Sequence, residues 1–145
     1  EVWAGFRVAR RAYPLGVEYS ESEDCIRVTA AHSGYRRLKG KVSHHRTWEA
    51  RDFELRVTDK LDGHYQRAVG FWHLHPNIRV SLRDKSTVDL ALTSGQTAVL
   101  SIAGADLALE QTTWHPGFGE SVPNTRIVFK FTSPTVVSEV RWSND

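Results

Sequence analysis

Seven histidines, at positions 32, 44, 45, 64, 73, 75 and 115, are the residues best suited to chemistry. His73-Leu74-His75 is the sharpest arrangement. On a strand, residues i and i+2 point to one face about 6–7 Å apart, close enough for two imidazoles to grip one metal ion. A third ligand would come from His44 or His45, or from a carboxylate such as Asp59 or Asp84, and spacing alone selects none of them. The alternative places Trp72 and Leu74 towards one layer and the histidines on a polar surface, with Pro76 ending the strand.

Two further groups could bind ligands. The basic stretch Arg36-Arg37-Leu38-Lys39-Gly40-Lys41, followed by His44-His45-Arg46, could pair with sulfates, carboxylates or phosphates of a polyanion. It could equally be a solvated loop balanced by the acidic segment Glu18 to Asp24. Arg36, Arg37, Lys39 and Lys41 are therefore candidate substrate contacts. The five tryptophans, at 3, 48, 72, 114 and 142, could stack on sugar rings or pack the core. Trp3, near a terminus, and Trp114, in a loop, are the ones expected at the surface. No Gly-x-Ser-x-Gly elbow, phosphate-binding glycine loop or His-Glu-x-x-His helix is present, and no hydrolytic triad can be assembled from the plentiful Ser and His.

These residues must be positioned by strands. Apolar and polar residues alternate with period two in Cys25 to Ala30, Val42 to Ala50, Phe53 to Thr58, Gln66 to His75 and Ile78 to Leu82. The pattern continues in Ser86 to Leu92, Thr97 to Ile102, Leu107 to Thr112, Arg126 to Phe131 and Thr135 to Trp142. Turn signals such as Asp62-Gly63, Pro76-Asn77, Ser94-Gly95 and Ala103-Gly104 fall between these runs. The expected fold is all-β, an antiparallel two-sheet sandwich of about ten strands in a single domain over 1–145. Trp114 to Asn124 reads as an ordered loop packed on a sheet edge.

Composition narrows the class. The chain has 145 residues, 40% hydrophobic and 25% charged, which is ordinary for a globular domain and excludes disorder and collagen. A formal net charge of +2 is far from that of a dedicated nucleic-acid binder, and no apolar run is long enough for a membrane helix. The lone Cys25 allows neither an internal disulfide nor a cysteine zinc site, and is expected to be a buried structural thiol. With no methionine, the chain is expected to be a piece of a longer product.

The order of several short motifs carries a resemblance. Trp3-x-Gly5-Phe6-Arg7 is followed by His32-x-Gly34-Tyr35-x-Arg37-Leu38, His45-Arg46-x-Trp48, Val57-x-Asp59-x-Leu61-x-Gly63 and Phe71-x-His73-Leu74-His75-Pro76. The late Phe118-Gly119 and Pro123 continue the series. Together they resemble the C-terminal β-rich domain of the heparinase II/III-like polysaccharide lyases. The resemblance implies an N-terminal helical toroid in cis, with an acidic polysaccharide bound between the two domains. It further implies β-elimination on uronate-containing glycans, a bacterial source, and a periplasmic or secreted location. The toroid carries most of the catalytic groups of that family. The sandwich's own catalytic His, and the His and Asp that hold zinc where zinc is present, belong to segments preceding the Trp-x-Gly-Phe-Arg stretch.

No catalytic residue and no cofactor is therefore expected within residues 1–145, and zinc only in a longer parent. His73 and His75 stay weak metal candidates, and Tyr35 is expected to pack and to donate its hydroxyl. The expectation is one wall of a lyase cleft, inactive alone; the alternative is a self-standing carbohydrate-binding or interaction module. A cleft wall should expose an apolar patch where the other domain docks, and a module should protect its edges.

Overall fold

A computed structural model describes residues 12–143, which contain eleven strands and no helix. These are β1 (Pro14–Ser22), β2 (Cys25–His32), β3 (Ser43–Arg51), β4 (Glu54–Asp62), β5 (Val69–His73), β6 (Arg79–Leu82), β7 (Thr87–Ala91), β8 (Thr97–Ala103), β9 (Ala105–Trp114), β10 (Val122–Phe131) and β11 (Thr135–Trp142). They form two antiparallel sheets. The larger has eight strands in the order β1-β2-β3-β4-β11-β8-β7-β6, and the smaller has three in the order β5-β10-β9. The fold is the expected all-β sandwich.

The core lies between the sheets and follows from the alternation. Val88 and Leu90, Ala98, Leu100 and Ile102, and Val136 project from the large sheet. Ile127 and Phe129 of β10 meet them from the small one. Trp72 of β5 packs against this cluster, and its indole N–H donates to Ser138 Oγ across the sheets at 3.3 Å. That bond satisfies a hydroxyl that is only 1% exposed, removing the penalty of a bare polar group in the core.

Three strands cannot cover eight. The apolar cluster draws on β7, β8 and β11 from the large sheet, while β1 is exposed along nearly its whole length. The inner face of the large sheet changes character accordingly. Cross-strand register aligns Val28, Ala30 and His32 of β2 with Trp48, Arg46 and His44 of β3, and these with Val57, Asp59 and Leu61 of β4. Polar residues occupy inward slots where the cover runs out.

One strand was not expected. β1 covers most of the acidic Glu18 to Asp24 segment, where no strand was expected; Leu15, Val17 and Tyr19 do alternate with Gly16, Glu18 and Ser20, but the strand is exposed on both faces and only Leu15 is partly covered. The loop after β9 is also shorter than expected. β9 runs to Trp114 and β10 begins at Val122, with His115 Nδ1 bonded to the Glu120 carbonyl between them. Phe118 at its tip is fully exposed rather than packed.

Gly40 matters for the site. A Cβ there would lie 1.6 Å from the His64 carbonyl oxygen, so only glycine lets these two loops touch. The His64 amide donates to the Gly40 carbonyl at 3.1 Å and fixes the contact.

Candidate functional site

Where the small sheet stops short, four side chains on three neighbouring strands form one hydrogen-bonded chain. The Gly34 amide donates to His32 Nδ1 at 3.2 Å, and His32 Nε2 lies 3.0 Å from His44 Nδ1. His44 Nε2 lies 2.5 Å from Asp59 Oδ1. Arg46 grips the same carboxylate with both arms, Nε to Oδ1 at 2.6 Å and Nη2 to Oδ2 at 3.0 Å. The strand register explains the geometry. Arg46 is paired directly with Asp59, His44 with Leu61 and His32 with His44, so His44 reaches Asp59 along a diagonal.

One donor in this chain has no freedom, and it sets the direction of the rest. A backbone N–H can only donate, so His32 Nδ1 accepts from Gly34. A neutral His32 then carries its proton on Nε2 and donates to His44 Nδ1, and His44 in turn donates from Nε2 to Asp59. Every ring nitrogen of both histidines is thereby engaged.

Titration follows from this packing. Burial holds the His32 imidazole below its ordinary value of 6.5, and the neighbouring His44 and Arg46 push the same way. Burial alone would raise the Asp59 carboxyl, but the hydrogen bonds and charges of His44 and Arg46 outweigh it and leave it below its ordinary 3.8. In both cases the unfolded chain binds the proton more readily, so stability is present above the ordinary value and is lost as pH falls. The His32 part begins to go near pH 6.5 and is spent once pH has passed the folded value; the Asp59 part follows below pH 3.8. Urea unfolding should therefore show a lower midpoint at about pH 5 than at about pH 7.5. His32→Gln should shrink that difference, and an unchanged pH slope in this variant would rule out His32 as its source.

The network forms one side of an open pocket of about 380 Å³. His44, Arg46, Asp59 and Leu61 line it from the large sheet, and Val69, Gly70, Phe129 and Phe131 from the small one. Two loops complete the rim: Tyr35, Leu38 and Val42 from one, Tyr65, Arg67 and Ala68 from the other. These are the loops that Gly40 and His64 hold together. Arg46 has spent Nε and Nη2 on Asp59. Arg67 is exposed and makes no hydrogen bond, ion pair or ring contact among the described residues. The pocket combines apolar walls with positive charge and unspent donors, an arrangement that can hold an anion attached to a ring.

A family model described as heparinase II/III-like, C-terminal, matches residues 1–143. The chain belongs to this family. Among solved structures, heparan sulfate lyase HepC from Pedobacter heparinus is similar with a TM-score of 0.73 at 15% identity, over 97% of this chain and 23% of that one. A heparinase III, the BT4657 gene product, is similar with a TM-score of 0.72 at 9% identity, over 92% of this chain and 22% of that one. The chain thus spans less than a quarter of the length of these lyases. No curated protein matches it in sequence.

The heparinase II/III-like motifs land on the network and rim. His32, Gly34 and Tyr35 bracket the relay's start, Arg46 and Asp59 are its end, and Leu61 lines the pocket. Tyr35 sets its ring edge-on to His32 with centroids 5.1 Å apart. Its hydroxyl has no partner among the described residues, so the expected donation is not made.

The candidate contacts Arg36, Arg37, Lys39 and Lys41 are exposed on the loop whose other residues line the pocket. Arg36 donates to Ser43 Oγ at 3.0 Å. Trp3 lies outside the described residues. Trp114 ends β9 at 37% exposure, edge-on to His75, and Trp142 is similarly exposed rather than in the core. His73 and His75 are both exposed, and His73 sits on a strand of the small sheet while His44 and Asp59 belong to the large one. Among the described residues no group of three or more His, Cys, Asp or Glu side chains could hold a metal, so these residues do not supply a zinc site. Cys25 opens β2 only half-buried.

Proposed function

We propose that this chain is the sandwich domain of a polysaccharide lyase, forming one wall of the cleft that binds an acidic, uronate-containing glycan, and that it does not carry out the reaction alone. In β-elimination a base removes the C5 proton of the uronate, the C4–O bond breaks, a C4=C5 double bond forms, and the departing oxygen takes a proton. Family membership supports the lyase assignment. The observation that carries the second part is that all four ring nitrogens of His32 and His44, the histidines beside the pocket, are already engaged within the protein. Neither presents a free lone pair to a substrate proton, so the network acts as a scaffold for Arg46.

The overhang of the large sheet fits a wall on which another domain rests. Tyr13, Val17 and Tyr19 of the first strand and its lead-in are each more than 60% exposed, an apolar strip that a self-standing module would cover. On this reading the other partner is a helical toroid in cis, and the parent enzyme meets its polyanion in the periplasm or outside the cell.

The test is the absorbance of the unsaturated product on heparin, heparan sulfate and alginate. This chain alone should give none, and a longer polypeptide joining it to a helical domain should give a clear rise on one of them. A robust signal from the chain alone would overturn the scaffold reading; no signal from the longer polypeptide on any acidic glycan would overturn the lyase reading.

A further inference from the structure

We propose that the pocket is a subsite for one acidic sugar unit, with its carboxylate or sulfate held by Arg46 and Arg67 and its ring packed against Tyr65, Leu38 and Phe131. The proposal rests on the reading of this chain as part of an acidic-glycan lyase only for the choice of saccharide; the site itself is argued from its lining.

Charge decides the ligand's sign. Asp59 is the one carboxylate lining the pocket, and it is 2% exposed with both oxygens taken by Arg46 and one also by His44. It therefore offers a cation nothing. Arg46 keeps Nη1, which makes no hydrogen bond to the described residues, and the carboxylate and the Trp48 ring, 5.8 Å from its guanidinium carbon, hold it in place. Arg67 has all its donors unspent. Two guanidinium groups with free donors at one concavity suit a planar carboxylate or a sulfate better than a lysine pair would, because their forks bond such anions in fixed geometry.

Shape decides that the anion is carried on a ring. The rest of the lining is aromatic and aliphatic, and the volume of about 380 Å³ sits at the small end of ligand pockets, too small for a long oligosaccharide within it. Tyr35 and Tyr65 add hydroxyls with no partner among the described residues, able to bond sugar hydroxyls beside the anion. The rim is preorganised: Gly40 and His64 clamp the loop bearing Leu38 to the segment bearing Tyr65 and Arg67. The exposed Lys39 and Lys41 just outside raise the local concentration of a polyanion without fixing its register.

The test is calorimetric titration of this chain with a size-defined heparan sulfate tetrasaccharide, with neutral maltotetraose as control and amide NMR shifts to locate the contact. The acidic probe should bind and shift the amides of Ala68, Val69 and Gly70, and the neutral one should not. Arg67→Gln should weaken binding by about tenfold or more, with the fold intact because the side chain is exposed. Lys39→Gln should cost less, and its effect should vanish at high salt while that of Arg67 persists. Equal binding of the neutral probe, no binding of the acidic one, shifts confined to residues 36–41, or unchanged affinity in Arg67→Gln would each overturn the subsite. Binding is read without turnover, so the two proposals fail separately. A pocket that takes the tetrasaccharide in a polypeptide that cleaves no glycan sinks the lyase reading alone, and an active lyase indifferent to Arg67→Gln sinks the subsite alone.

Discussion

Asp59→Ala should destabilise the protein by about 2–4 kcal/mol, read as a shift in the urea midpoint at unchanged slope. The carboxylate is 2% exposed and receives three hydrogen bonds, one from His44 and two from Arg46. Its removal strands a guanidinium and an imidazole N–H that were matched to it. Breaking a fully buried pair from one side costs about 3–5 kcal/mol. Here the guanidinium side chain is 37% exposed and can turn partly to water, which lowers the estimate. Asp59→Asn preserves shape but replaces an acceptor with an amide that faces donors, so it should recover little. Imidazole nitrogen NMR supplies an independent readout. His44 should carry its proton on Nε2 in the native protein and lose that preference in Asp59→Asn. A cost below about 1 kcal/mol would mean that the carboxylate is solvated and that the network holds nothing in place.

That network also marks the boundary of what the sequence discloses. Most of the strands could be read directly, because residues such as Val88, Leu100 and Val136 take alternate slots and pack with Ile127 and Phe129 of the second sheet. β1 escaped although Leu15, Val17 and Tyr19 alternate with Gly16, Glu18 and Ser20, because Pro14, Gly16 and the acidic residues after them weigh against a strand and almost nothing covers it. The site escaped for a related reason. His44, Arg46 and Asp59 occupy slots that the pattern assigns to the interior, between apolar neighbours such as Trp48, Val57 and Leu61. A polar residue in an inward slot is a usable signal, since buried polar groups require partners. Acting on it, though, requires knowing which strands are adjacent. The register that joins position 32 to 44 and 46 to 59 is set by hairpin closure and is invisible to spacing along the chain. The run of basic residues drew attention to the correct loop but to its exposed members, whereas Tyr35, Leu38 and Val42 turn into the pocket.

Phe129→Ala should cost about 3–5 kcal/mol, the largest effect expected of a single substitution here. The ring is 1% exposed at the junction of core and pocket, with Phe131 stacked beside it at 5.9 Å between centroids. Its seat depends on Gly70, paired with it across β5 and β10. A Cβ at Gly70 would fall 2.1 Å from Phe129 Cζ and 2.2 Å from Cε2, well inside contact distance. Gly70→Ala alone should therefore overpack the junction and cost about 1–3 kcal/mol, because a buried ring hemmed in by the opposite sheet has little room to yield. The two substitutions answer each other. With the ring gone, the new methyl enters the space it left, so the double variant should be no less stable than Phe129→Ala alone. The coupling should then roughly equal the cost of Gly70→Ala, far above the ~0.5 kcal/mol within which independent sites add. Additive losses in that cycle would mean that the ring does not occupy the space above Gly70, and the floor of the pocket would have to be redrawn.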